Sequence, residues 1–392
     1  MKILFITWDG PETNYLENLF VPIFERLQKE HGYDFHIIQF TWGDEQRIEK
    51  TKVVCCDADI LYTMIPVYRK IALLGVLKAI FWQSRQVVQY VKQHEIDAVM
   101  PRATTAAAIV NNMIKKTNAK YVFDADGFSQ DERVDFSGWN PNGAKYKMYR
   151  SFEHKALHLA QAVLARSHKA KNILAERAGN AFNKEKITVI SNGKDSTIFN
   201  VGKEGSRDGD GINFVYAGSL GPQYMFSEMI EIFIAVVSIK SESKFTILTG
   251  NETFIKSAVA ELSKSIQSKI TAMRVAPSDV VGYLQKADIG FALRKPTFSM
   301  QGVAPIKLSE YLLCGLPVIT NAGIGDTEQI LEGKEAAFLV TNLNETEKEK
   351  LVAWCLETKG NRTRNQEARN IGLEHFTLDT TIERYHSALK NL

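Results

Sequence analysis

The sequence is poor in the features that mark several protein classes. It holds only four cysteines in 392 residues, Cys55, Cys56, Cys314 and Cys355. None forms a C-x-x-C pair or stands at metal-ligand spacing with a histidine, which excludes a disulfide-stapled scaffold and points to structural thiols in a reducing compartment. Long apolar runs are also missing. The most apolar segment, Ile71–Trp82, is broken by Lys78, whereas a membrane-crossing helix needs about 20 apolar residues. The apolar start after Lys2 is too short for a signal peptide. The expectation is a cytoplasmic chain, lying against the inner face of a membrane at most. An excess of charge of one sign is lacking too: 48 basic against 45 acidic residues leave a net +3, which excludes a global nucleic-acid binder. No G-x-G-x-x-G follows the first strand, no H-E-x-x-H occurs and no G-x-S-x-G occurs, which argues against a dinucleotide dehydrogenase, a zincin and an α/β-hydrolase. His154 and His158 share a helix face but have no third ligand.

What is present is a globular composition, 45% hydrophobic and 24% charged, in a chain long enough for two or three domains. The charge is unevenly placed: residues 51–200 carry 22 basic and 13 acidic residues, a local excess of +9. Lys2–Thr7 is a continuous apolar run of the kind that suits a parallel strand covered on both faces. A helix over 14–30 and a strand at 34–40 follow. The spacing then predicts a helix around 68–93, a strand at 96–100, a helix at 103–116 and strands at 121–124, 162–165 and 187–190, with helices at 144–160 and after Ser167. Asp57–Asp59 reads as a turn before a strand. The stretch 201–211, VGKEGSRDGDG, is almost devoid of apolar residues and reads as a linker or exposed loop. The pattern restarts with strands at 213–217, 244–249, 270–275, 288–293, 317–320 and 336–341. Strands alternating with helices mean βαβ units. The fold class is therefore α/β, with two Rossmann-like doubly wound domains facing across a cleft: residues 1–194 plus a C-terminal crossover helix at 376–392, and residues 195–375.

Two segments of the second half carry the chemistry. Arg294–Thr320, RKPTFSMQGVAPIKLSEYLLCGLPVIT, runs from a strand end through a polar loop into a helix expected to start at Pro305. A helix N-terminus at a sheet edge attracts anions. Lys307 adds a positive charge there, and Glu310 lies one turn on along the same face, where a carboxylate suits the vicinal hydroxyls of a ribose. Phe214–Tyr224, FVYAGSLGPQY, has the strand–glycine turn–helix layout that lets backbone approach a phosphate. D-x-D pairs occur at Asp57–Asp59 and Asp124–Asp126; a metal site is not expected at either.

These segments resemble the retaining glycosyltransferases of family 4 (glycosyl transferases group 1), which have the GT-B fold. PIKLSEYLLCGLPVI is similar to that family's helix-plus-strand signature, with Glu310 at its second glutamate, and YAGSLGPQY, YLQKADIGFAL and GIGDT extend the match. FDADGFSQDERVD at 123–135 looks like the acceptor-side loop of the capsule and O-antigen subgroup. RSFEHKAL and ITVISNGKD look like segments leading to an interdomain hinge. The resemblance implies transfer of a sugar from a nucleotide-diphosphate sugar to a hydroxyl of a saccharide or lipid-linked acceptor, with anomeric retention, in surface polysaccharide synthesis. It implies no cofactor and no required metal. Catalytic roles fall to Asp126, Lys307 and Glu310. Donor binding falls to Gly218, Ser219, Gly221, Arg294, Ser299, Gln301 and Gly302 with Lys307 and Glu310. Asp124, Asp126 and Glu132 lie on the acceptor side. The chain departs from the family at three places. Gly302 stands where the first of the paired glutamates is expected. Ser219 and Gln223-Tyr224 stand where many members carry Arg and Lys on the diphosphate, so Lys307 with Arg294 or Lys295 must supply that charge. Asp124-Ala125-Asp126 replaces a histidine. The alternatives are a non-catalytic sugar-nucleotide-binding subunit and a GT-B-like nucleotide-sugar epimerase.

The helix region 68–93 combines Arg69, Lys70, Lys78 and Arg85 with a broad apolar face. It reads either as an ordinary domain helix or as a peripheral contact with anionic lipid.

Overall fold

The computed structural model describes residues 1–10, 14–202, 207 and 209–392. The chain divides into two compact units: Met1–Ile190 with Thr381–Leu392, and Ser191–Thr380. The first holds seven parallel strands, β1 (Lys2–Trp8), β2 (Asp34–Thr41), β3 (Leu61–Pro66), β4 (Ala98–Pro101), β5 (Lys120–Asp124), β6 (Ala162–Ala165) and β7 (Ile187–Val189), in the order 3-2-1-4-5-6-7. The second holds β8 (Asn213–Ala217), β9 (Lys244–Leu248), β10 (Ile270–Met273), β11 (Ile289–Phe291), β12 (Val318–Asn321) and β13 (Ala337–Val340), in the order 10-9-8-11-12-13. Each sheet reverses its winding once, between β1 and β4 and between β8 and β11.

The apolar runs are central strands because helices cover them on both sides. Ile3, Leu4, Phe5 and Ile6 are all buried, and β1 pairs in register with both β2 and β4. Local chemistry sets the helix ends. The Ser167 hydroxyl accepts from the amide of Ala170 at 2.9 Å and starts the helix His168–Ala178. Gly32, at φ +66°, closes the helix Val21–His31 in the left-handed conformation that glycine adopts without cost.

Three expectations shift. The helix expected around 68–93 begins only at Ala72 and runs to Gln93 in three successive segments. Pro305, expected inside a first turn, instead precedes the helix Ile306–Leu313, because its ψ of 114° is extended. The domain boundaries move by a few residues: 191–194 and 376–380 group with the second unit. Backbone explains this, since Lys194 donates to Phe376 at 2.9 Å and Leu378 donates back to Lys194 at 2.8 Å. The final helix, Leu378–Leu389, then enters the first unit, where His386 meets the Tyr33 hydroxyl at 2.9 Å. Part of the expected linker at 201–211 lies outside the described residues.

Candidate functional site

In an open parallel sheet, ligands gather at the carboxyl ends of the strands where the winding reverses. In the second unit that point lies between β8 and β11, and a cationic group occupies it. Gly218 leaves β8 at φ +129°. A methyl group placed there would lie 2.8 Å from the Lys307 ammonium, so only glycine lets Lys307 reach under the turn. Lys307 comes from the first turn of Ile306–Leu313 and is buried. Its Nζ donates to the Tyr224 hydroxyl at 3.3 Å, and Nη2 of Arg294, from the loop after β11, donates to the same oxygen at 3.2 Å. Both cations also sit over the Tyr224 ring. The loops are stitched together: Lys295 donates its amide to Gln223 at 2.9 Å, and Arg294 exchanges bonds with the Asn321 side chain.

This arrangement perturbs the titrating groups. Burial alone would raise the Tyr224 phenol, but the Lys307 ammonium and then the Arg294 guanidinium outweigh it and bring it down to about 7. Burial lowers Lys307 from its ordinary value, with Tyr224 opposing and Arg294 adding to the fall. Glu310, one turn further along the helix, pairs with Lys194 at 3.4 Å. Asn192 and Ser309 tie the segment before Lys194 to the same helix: Asn192 donates to the Ala304 carbonyl, and the Ser309 hydroxyl donates to the Asn192 carbonyl, each at 2.8 Å.

The structure thus brings Gly218, Arg294, Lys307 and Glu310 into one neighbourhood. Of the two cations that the sequence left open beside Lys307, Arg294 is the one present, while Lys295 is exposed. Ser219 contributes its carbonyl to the turn, accepting from the Tyr216 hydroxyl at 2.6 Å, and Gly221 accepts from the Tyr224 amide at 3.0 Å. Ser299, Gln301 and Gly302 lie on the turn Phe298–Gly302, anchored by Gly325 donating to the Met300 carbonyl. Tyr224 has no counterpart among the sequence-predicted site residues. In the sequence Tyr224 stands out only as a position where the resemblance expects a cation on the diphosphate, and only the fold puts its hydroxyl between two cations.

The first unit has its own charged group at the equivalent edge. Arg102, after β4, bridges Asp9 at 2.8 Å and Asp126 at 2.7 Å. Arg166, after β6, bridges Asp126 at 2.9 Å and Asp124 at 2.7 Å. Three carboxylates against two guanidinium groups leave one negative charge in a dry place, and the most buried acid bears the consequence. Burial pushes Asp124 up to about 6, with Arg166 only partly opposing. Burial would raise Asp126 as well, but Arg102 and Arg166 prevail and hold it down at about 2. Asp126 and the nearby Ala103 have φ of +42° and +59°, so backbone strain is concentrated at this edge.

The Asp124 side chain is 0% exposed and pairs with Arg166 through one carboxylate oxygen, as a buried guanidinium needs a neutralising partner. Asp126 keeps a partly accessible carboxylate. Glu132 is partly exposed in the first turn of Ser129–Ser137. The sequence reading missed Asp9, Arg102 and Arg166, which are isolated charges at strand ends with no motif around them.

Residues 23–197 match the model of Glycosyltransferase Family 4. Among curated proteins, none matches the sequence. Among solved structures, a glycosyltransferase from Rickettsia africae ESF-5 is 18% identical over 100% of this chain and 99% of its own, with a TM-score of 0.72. Anabaena Alr3699/HepE in complex with UDP-glucose is 16% identical with both chains covered in full, at a TM-score of 0.73. WaaG, a glycosyltransferase involved in lipopolysaccharide biosynthesis, is 14% identical over 99% of both chains, at 0.69. The chain is a two-unit α/β protein with the GT-B glycosyltransferase fold, and its residues 23–197 carry the Glycosyltransferase Family 4 pattern.

Proposed function

We propose that this protein is a retaining glycosyltransferase that takes its donor, a nucleotide-diphosphate sugar, on the second unit and a saccharide acceptor on the first. The observation that carries the reading is the convergence of Lys307 and Arg294 at the β8–β11 reversal, with Glu310 one helical turn away. A diphosphate leaving group develops negative charge, and fixed cations aimed at it stabilise that charge without reorganising. Two such cations make a divalent metal unnecessary. Glu310 exchanges Lys194 for the ribose hydroxyls. The acceptor hydroxyl attacks the anomeric carbon on the face that the diphosphate leaves, forming the new C–O bond as the old one breaks, and the departing diphosphate oxygen takes the hydroxyl proton. Structures with the same fold bind UDP-glucose or act in lipopolysaccharide synthesis, which supports a nucleotide sugar and a surface-polysaccharide acceptor.

The acceptor is read as lipid-linked. The first unit holds 28 basic and 22 acidic residues, a net +6, and the second 20 and 23, a net −3; a positive unit suits a phosphate-bearing acceptor. Leu74, Lys78, Trp82 and Arg85 recur at helical spacing on an exposed face, with Ile71 and Phe81 beside them. Among the described residues no helix is long and apolar enough to cross a membrane, and this apolar-basic face suits peripheral contact with anionic lipid.

The test is a nucleotide-sugar panel with and without lipid-linked saccharide acceptors. Acceptor-dependent release of nucleoside diphosphate, with a product of unchanged anomeric configuration, is expected. Binding without turnover would favour a sugar-nucleotide-binding subunit, and conversion of the sugar without any acceptor an epimerase.

A further inference from the structure

Tyr224 occupies an unusual position for a tyrosine. Its side chain is buried, and its single hydroxyl oxygen receives hydrogen bonds from Lys307 at 3.3 Å and Arg294 at 3.2 Å. The two charged groups that bond to it are both cations. Helix Ile306–Leu313 contributes Lys307, with Tyr311 and Glu310 behind it, the loop after β11 contributes Arg294, β8 contributes Tyr216, and the turn contributes Ser219. Glu310, the carboxylate on that helix, pairs with Lys194. The Tyr216 hydroxyl is spent on the Ser219 carbonyl, and the Tyr311 hydroxyl on the Ala217 amide. Two cations therefore converge on one neutral oxygen, which is the geometry of an anion site with a phenol in the anion's place.

We propose that the Tyr224 hydroxyl is a positioning group that holds Lys307 and Arg294 together while the donor is absent, ionises between them, and regains its proton when a nucleoside diphosphate takes over the two cations. The inference rests on the donor reading above. Its physical basis is exchange of one negative partner for another. The phenolate is favoured at about 7 because the Lys307 ammonium and the Arg294 guanidinium outweigh its burial. A diphosphate bound to the same cations repels that charge, so the phenol form returns and one proton is taken up. Linkage then requires affinity to fall as pH rises above 7, by about tenfold per pH unit for one proton.

The test uses UDP, GDP and ADP as probes on the full chain and on Tyr224→Phe. From pH 7 to 8.5, the native protein's loss of affinity should steepen toward one decade per unit and its uptake should rise from about half a proton per nucleotide toward one, measured by titration calorimetry in buffers of different ionisation enthalpy. Tyr224→Phe should show a flatter slope and little proton uptake. The near-ultraviolet phenolate band, taken as the difference between native and variant protein at pH 8, should be present without nucleotide and fade on its addition. Nucleotide binding with an unchanged phenolate band, or with the same slope in both proteins, would overturn the role of Tyr224 and leave the donor site standing. Absence of binding by both proteins would overturn the donor site and this inference with it.

Discussion

Replacing Gly218 by alanine separates the two things that this residue does. The first is conformational: φ of +129° lies where L-residues are rare, and holding alanine there costs about 1–3 kcal/mol. For a unit of this size that lowers Tm by about 2–4 °C per kcal/mol. The second is steric. The new Cβ would meet Lys307 Nζ at 2.8 Å and Cε at 3.0 Å. A lysine tip swings aside far more readily than backbone does, so the contact adds little to the stability loss but displaces the ammonium from its place beside Arg294 and Tyr224. Losing one charged hydrogen bond to a diphosphate is worth about 1.5–3 kcal/mol, so nucleotide affinity should weaken by about ten- to hundredfold. Gly333→Ala is the matched control: it too sits in the second unit at positive φ, +74°, but nothing lies within 4 Å of its added Cβ. The assay is nucleoside diphosphate binding by calorimetry beside thermal unfolding. Equal affinity in Gly218→Ala and Gly333→Ala, with both destabilised, would refute the placement of Lys307 in the donor site.

Glu310→Ala should abolish measurable donor binding while leaving the fold intact by circular dichroism; unchanged affinity in a titration would remove Glu310 from the site. Arg166→Met should cost about 3–5 kcal/mol in denaturant unfolding, because it strands the buried Asp124 carboxylate without a partner; a loss below 1 kcal/mol would show that the network contributes little. Asp124 moves from 3.8 to about 6 on folding, so the folded state binds more protons in that window and stability falls as pH rises from 4 to 6. Asp124→Asn should lack that fall, and identical pH profiles would contradict the raised value. Phe81→Ser with Trp82→Ser should weaken co-sedimentation with anionic vesicles at low salt; equal binding would place any lipid contact elsewhere.

Much of the architecture was legible in the sequence because parallel strands covered on both faces must be written as short apolar runs. Lys2–Thr7, Ala162–Ala165 and Asn213–Ala217 all stand where the periodicity predicts strands. Lys307 and Glu310 were legible for a related reason, being three residues apart on one helix whose start faces a sheet edge. The helix Glu45–Asp57 escaped notice because its only buried positions are Thr51 and Cys55, and a helix that packs so little leaves a faint pattern. Asp9, Arg102 and Arg166 were illegible for a different reason: each is a single charge at the end of a different strand.

The near-zero net charge hides an uneven split, +6 in the first unit and −3 in the second. Sequence alone determined the α/β class, the two units and the helix that carries Lys307 and Glu310, since these depend on local periodicity and on spacings of three or four residues. Tertiary structure alone decided which charges meet. Arg294 joins Lys307 across Tyr224, 70 and 83 residues away from it, and Arg102 and Arg166 enclose Asp126 from strands far apart in the chain. No local pattern encodes such pairs, because sheet order, not chain order, brings strand ends together.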